Sequence, residues 1–271
     1  WTVVISWISL LMSVGLLLQV LDNGLIVYEL GDWAAPWGIE YRVDSLNAFV
    51  LVIVSMIGAV VMPYARKSVE KEIPASRIYL FYAMMLLCMT GLLGITITGD
   101  AFNLFVFLEV SSLSTYVLIS FGNDRSALTA AYRYLIMGTI GATFYIIGVG
   151  MMYMVTGTLN ITDLGVLVPG MADNRTIQAA LAFLTVGLAI KAALFPLHMW
   201  LPNAYTYAPS AVTVFLAATA TKVAVYAFIR VVFTIFGDID ILAALPVRYM
   251  LMTFAIMAMF GGSIVAIYQN N

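Results

Sequence analysis

Eight long apolar runs constrain this chain more than any other feature. They fall at about 2–20, 45–64, 79–98, 101–121, 132–156, 177–206, 209–235 and 249–268. A helix needs about 20 apolar residues to cross the hydrocarbon core of a bilayer. Lipid offers no water to solvate the backbone, so each crossing segment must satisfy its own polar groups, and a helix does so. A β-barrel would instead use alternating segments of about ten residues. The runs here are longer and are apolar at both parities. The expected fold is therefore an all-α polytopic membrane protein with about eight transmembrane helices. Composition agrees: 63% of the residues are hydrophobic and 10% are charged, where soluble proteins carry about a quarter charged. In water such a chain would expose large apolar patches, whereas in lipid they are the normal surface.

The same inventory excludes several function classes. A net charge of −2 gives no basic field for nucleic acid. One cysteine, Cys88, and one histidine, His198, exclude an intrachain disulfide and a metal site built from several Cys or His ligands. No nucleotide-binding loop, nucleophile elbow or metal-ligand cluster occurs, so no cofactor and no metal are expected. The chain opens at Trp1, already in an apolar stretch, and ends just past another. Both ends look cut, which predicts a piece of a longer protein.

Loop charges predict orientation. The 65–78 connection carries Arg66, Lys67, Lys71 and Arg77, and the 122–133 connection carries Arg125 and Arg133. The opposite side carries Arg42, Arg175 and Arg248. This bias places 65–78 in the cytoplasm of a cell whose plasma (inner) membrane the chain crosses many times. Residues 27–43 are too polar to span. Two β-prone stretches there flank a Gly/Pro/Trp turn, which reads as an outer hairpin with an irregular loop as the equal alternative. Asp238 and Asp240 read as a solvated loop.

The run 177–206 carries its own interruption. It is apolar to Leu194, and then Pro196 and Pro202 bracket His198 and Trp200. Proline removes a backbone donor and clashes with the preceding turn. A helix broken near 193–203 is the natural reading, because broken helices at membrane depth occur where protein or a wet cavity surrounds them. A simple loop at the cytoplasmic face stands beside it as the alternative.

Charge inside the spans points to chemistry. Glu109 and Lys222 lie near the centres of their runs, and Lys191 sits just before the proline break. Each such charge costs roughly 2.5–3.5 kcal/mol on insertion scales, so it usually faces a bundle interior and serves a function. Burial raises a carboxyl pKa and lowers a lysine pKa, so a carboxylate and two amines can trade protons near neutrality. Glu109, Lys191 and Lys222 are therefore expected to converge on one interior polar path. Ser112 and Tyr116 share the Glu109 face, Thr219 and Tyr226 flank Lys222, and Gly187 lies one turn before Lys191. His198 in the break could pass protons to the cytoplasm or simply bond a freed carbonyl. A buried ion pair that only fixes packing is the bland reading of the whole set. Asp100 reads as a helix cap, and Arg230 as an interfacial side chain reaching toward the headgroups.

These residues carry a resemblance. Thr98-Gly-Asp-Ala-Phe-Asn-Leu-Phe-Val-Phe-Leu-Glu109, Ile190-Lys-Ala-Ala-Leu-Phe-Pro-Leu-His-Met-Trp-Leu-Pro-Asn-Ala204 and Ala208-Pro-Ser-Ala with Thr221-Lys222 resemble the antiporter-like subunits. That family is shared by respiratory complex I, membrane-bound hydrogenases and Mrp-type Na+/H+ antiporters. The wording around Glu109 is most similar to the D-type subunit of the Mrp antiporters. The resemblance implies a fold of two inverted five-helix repeats, each with one discontinuous helix and a proton half-channel. It makes this chain about one half of that fold, with 79–235 as the first repeat, 27–43 as its outer hairpin and 249–271 as the start of a truncated second part. It implies roles in proton transfer for Glu109, Lys191 and Lys222. The implied partners are other membrane subunits, the lipid bilayer, H+ and, for antiporter members, Na+. The function it implies is proton translocation within a cation/proton antiporter. The alternative is a proton-pumping subunit of an NADH:quinone oxidoreductase or hydrogenase, whose redox chemistry lies in other subunits.

Overall fold

Each apolar run becomes a helix, and the polar punctuation between runs decides where it stops. In the computed structural model, residues 1–237 and 247–268 are described. The elements are α1 (Thr2–Asn23), β1 (Ile26–Glu29), β2 (Glu40–Val43), α2 (Ser45–Glu72), α3 (Ile78–Ile97), α4 (Ala101–Ser120), α5 (Ser126–Thr156), α6 (Ile161–Leu167), α7 (Arg175–Lys191), α8 (Leu201–Tyr207), α9 (Ser210–Ile235) and α10 (Val247–Tyr268). Among the described residues, seven helices are long and apolar enough to cross a membrane. The eighth predicted run is the broken pair α7 and α8. The all-α polytopic membrane fold expected from the sequence is the fold observed. The Asp238 and Asp240 loop reading lies outside the described residues.

Several boundaries differ from the hydropathy reading for a physical reason. The 65–78 segment is not a loop: α2 runs through Pro63 to Glu72 and thus carries Arg66, Lys67 and Lys71 on helix. Helix α5 likewise starts at Ser126 rather than near 132. Hydropathy marks where the apolar stretch ends, whereas a helix can continue on polar residues once its ladder is established. The short helix α6, unassigned from sequence, is capped by Asn160, whose side chain accepts from Thr162 N and Asp163 N.

Residues 26–43 form an antiparallel hairpin that pairs Ile26 with Val43 and Glu29 with Glu40. Asp44 then caps α2 in a capping box with Asn47. Strand β2 also bridges Tyr41 to Thr98, and Asp100 bridges Asn160. These contacts gather the hairpin, the α3–α4 turn, α6 and the C-terminal end of α9 at one end of the bundle. At the other end Ser210 N donates to Glu72 Oε2 at 2.8 Å, tying α9 to the end of α2.

Between the ends, small residues set the spacing. A Cβ on Gly91 would lie 2.6 Å from the Ser111 nitrogen, so α3 and α4 touch backbone to backbone. A Cβ on Gly187 would lie 2.7 Å from both the Gly141 oxygen and the Tyr145 nitrogen, which brings α5 and α7 equally close. Lipid tails are as apolar as the helices, so such contact by small residues is what holds helices together in a bilayer.

Candidate functional site: a lysine–glutamate pair at a broken helix

Helix α7 ends at Lys191, and the next helical turn begins only at Leu201. The residues between keep few ladder bonds. Ala192 N and Ala193 N return to Leu188 O and Ile190 O, and Leu194 N reaches Ala189 O. Pro196 has no N–H to offer. Trp200 supplies the missing order: its indole Nε1 donates to Ile190 O at 3.1 Å, and its ring stacks on Tyr134 with centroids 4.0 Å apart. The break is thus folded back against the end of its own helix and pinned to α5. Pro202 lies in the first turn of α8, a position where its missing donor costs nothing.

This arrangement places Lys191 at a helix C-terminus, where the helix dipole favours a cation. Its amine donates to Glu109 Oε1 at 3.1 Å and to Ser112 Oγ at 2.6 Å. Glu109 and Ser112 are three residues apart on α4, so one face presents both acceptors. The Lys191 side chain is 4% exposed and the Glu109 side chain 23%. The ammonium is therefore enclosed, while the carboxylate keeps one side open. A cavity of about 20 Å³ adjoins the amine, lined by Ser111, Ser112, Thr115 and Tyr134 on one side and Ala220 and Ala224 of α9 on the other. That volume is enough for about one water with polar partners. The Tyr116 hydroxyl is buried above Gly138 with no hydrogen-bond partner.

The structure brings together two of the three expected relay residues. Lys222 stands apart: it is exposed on α9, and its amine turns back to the Ala217 carbonyl. Helix geometry gives the reason. Ala220 and Ala224 face the cavity, and a residue two positions from each points about 200° away. Within this chain the expected convergence of all three charges does not occur. His198 is half-buried in the break, stacks on Phe195 at 5.3 Å and leaves Nδ1 buried without a partner. Thr219 and Tyr226 bond carbonyls, of Phe215 and Thr96, rather than Lys222.

Arg230 also departs from expectation. It does not reach outward but pairs with Asp44, 2.7 Å between Nη1 and Oδ2. A partner 186 positions away was invisible in sequence, and pairing satisfies both charges better than headgroup water does. Reasoning from sequence also missed Trp200 and Tyr134. The only signal for them was an indole inside a proline-rich break, whose N–H needs an acceptor when buried.

Known proteins share this arrangement of helices. The family described as "NADH:quinone oxidoreductase/Mrp antiporter, TM" matches residues 98–271. The chain is 46% identical over 247 residues to the N-type subunit of the NADH-quinone oxidoreductase of Desulforudis audaxviator, covering 90% of this chain and 48% of that protein. It is 34% identical over 228 residues to the D-type subunit of the Na(+)/H(+) antiporter of Alkalihalophilus pseudofirmus, covering 84% and 46%. Among solved structures it is similar to a chain of the membrane-bound sulfane sulfur reductase, an archaeal respiratory membrane complex. The TM-score there is 0.80 at 32% identity, over 86% of this chain and 47% of the other. The Mrp complex from Dietzia sp. gives a TM-score of 0.78 at 29% identity, over 87% and 43%. The chain spans about half the length of the curated relatives it matches. With the matched family covering the broken helix, the ion pair and α9, this chain belongs to the NADH:quinone oxidoreductase/Mrp antiporter transmembrane family.

Proposed function

We propose that this chain is the proton-conducting half of an antiporter-like membrane subunit, acting in a multisubunit monovalent cation/proton antiporter. One observation carries the reading: an ammonium enclosed at a helix break, 3.1 Å from a carboxylate that keeps an open side. Enclosure disfavours the charged amine, and the neighbouring carboxylate favours it. Lys191 therefore holds its proton while Glu109 is ionised and in place. When Glu109 is neutralised or drawn toward a neighbouring subunit, the amine loses its counter-charge and releases the proton. The adjoining cavity leads it toward α9, and His198 is the proposed exchange point on the cytoplasmic side. Lys222, on the far face of α9, would take the charge onward into the part of the protein beyond this chain. The working unit is the five-helix repeat 79–235, with 27–43 as its outer hairpin. The bilayer is the plasma membrane, and the partners are other membrane subunits, H+ and Na+.

The second reading is a proton-pumping subunit of an NADH:quinone oxidoreductase. The 46% identity to the N-type subunit of such an enzyme favours it. A Na+ gradient imposed on vesicles holding the intact complex separates the two, because only the antiporter converts it into a pH gradient.

The relay itself is tested in the full complex. Glu109→Gln keeps shape and hydrogen bonding but removes the titratable charge, and Lys191→Ala removes the amine. Each should abolish most proton flux while assembly persists, and Glu109→Asp should be milder. Wild-type flux through an assembled Glu109→Gln complex would reduce the pair to a packing role.

A further inference from the structure

We propose that the cavity between the start of α5 and helix α8 binds the phosphate of an anionic lipid headgroup, with Arg133 as its cationic contact. Ser126, Thr129, Ala130 and Arg133 of α5 line it on one side, and Asn203 and Tyr207 of α8 on the other, around about 250 Å³. A guanidinium presents a fork of N–H donors that fits phosphate. The hydroxyls of Ser126, Thr129 and Tyr207 and the amide of Asn203 can donate from around it. Among the described residues, no carboxylate lines the cavity and Arg133 joins no ion pair. The acid closest in sequence, Asp124, accepts from Ser126 N at 2.7 Å, and its neighbour Arg125 offsets its charge.

Place and surroundings favour a lipid over a free anion. Tyr207 lies three residues before Ser210, whose N–H bonds Glu72, and a Cβ on Gly122 would clash with Tyr207 O. The cavity therefore lies at the end of the bundle that carries Arg66, Lys67 and Lys71, the end predicted to face the cytoplasm. Anionic lipids are concentrated in that leaflet, and basic pockets between transmembrane helices there bind their headgroups. The apolar run of α5 begins near residue 132, so Arg133 stands at the border of the hydrocarbon, at the depth of headgroup phosphates. Leu128, Tyr132, Ile136 and Ile140 are exposed and recur every four residues along α5. That ridge lies about 100° around the helix from the row of Thr129 and Arg133, and it gives an acyl chain a track beside the cavity. A free phosphate would use the cavity alone.

The site also spans the helix break. Its α8 wall follows the interruption, and its α5 wall continues into Tyr134, the ring on which Trp200 stacks. A bound headgroup ties the two walls together.

Thiol labelling of the full-length protein in its complex tests this, with Thr129→Cys in a Cys88→Ser background, in nanodiscs and read at that residue by peptide mass. Thr129 and Arg133 are both exposed, so substitution at either leaves the packing intact. Phosphatidylglycerol added to phosphatidylcholine discs should protect the cysteine, and inorganic phosphate should not. Arg133→Ala should raise the phosphatidylglycerol content needed for half-protection by about tenfold or more, as expected for one charge-assisted hydrogen bond. Arg133→Lys, which keeps the charge but not the fork, should raise it less. Equal labelling with and without phosphatidylglycerol, protection by inorganic phosphate alone, or protection unchanged in Arg133→Ala would each overturn the proposal. So would a cysteine already protected in phosphatidylcholine alone, which would mean that a neighbouring subunit covers the cavity.

Discussion

Lys191 shows how much one side chain depends on the face it is given. As the last helical residue of α7, it presents its amine to Ser112 at 2.6 Å and Glu109 at 3.1 Å. Asp44 is the counterpart outside the spans. Burial alone would raise its carboxyl, but the Arg230 hydrogen bond and charge, with the N–H groups of Asn47 and Leu46, hold it below the ordinary 3.8. A depressed carboxyl contributes stability that is complete above the unfolded value and lost as pH falls through the folded one. Arg230→Gln should therefore lower stability at neutral pH by about 1 kcal/mol or less, since the pair is partly exposed and screened. The gap between wild type and variant should close as pH drops below 3.8. Thermal unfolding of the detergent-solubilised protein against pH measures it, and a gap that widens in acid would refute this account of the pair.

At the scale of elements, the broken helix is held by groups other than its own ladder. Trp200 closes the Ile190 carbonyl and stacks on Tyr134, which in turn meets Tyr116 edge-on at 4.7 Å. Trp200→Phe keeps an aromatic ring but deletes the indole donor. The Ile190 carbonyl keeps the Ala193 N–H, so the expected loss is about 0.5–1.5 kcal/mol for one hydrogen bond. Proton flux should fall together with stability, whereas Tyr134→Phe, which retains the stack, should leave stability within about 1 kcal/mol. Equal stability of the Trp200→Phe variant and wild type would mean that the break needs no indole to hold it. The prolines alone forecast that a helix would be interrupted near 193–203. They carried no information on which carbonyl the indole would bond or which ring would stack on it.

For the whole molecule, the connections sort cleanly between two ends. Glu72 and Ser210 meet at one, and Asp44, Asp100, Asn160 and Arg230 gather at the other. Arg66, Lys67 and Lys71 lie on the polar last turns of α2, at the first of these ends. The positive-inside rule predicts that this end faces the cytoplasm. Cys88 is buried and makes no useful label, so single cysteines can be read in a Cys88→Ser background. Lys67→Cys in the full-length protein should react only from the cytoplasmic side and Ala34→Cys only from outside. The reverse pattern would invert the proposed orientation and, with it, the side on which His198 exchanges protons.

Sequence alone determined the medium and the helical class, because lipid burial of the backbone leaves a 20-residue apolar run one local solution. It also marked the residues too costly to bury idly, Glu109 and Lys191 among them, and the prolines where a helix must fail. Tertiary structure decided which of those charges meet. Glu109 and Lys191 are 82 positions apart and Lys191 and Lys222 only 31, yet the first two pair while Lys222 faces outward. Phase around a helix and close approach at Gly91 and Gly187 set that outcome, and both belong to packing. The Asp44–Arg230 pair is of the same kind. Composition says that a charge needs a partner, and only the packed bundle says which one it finds.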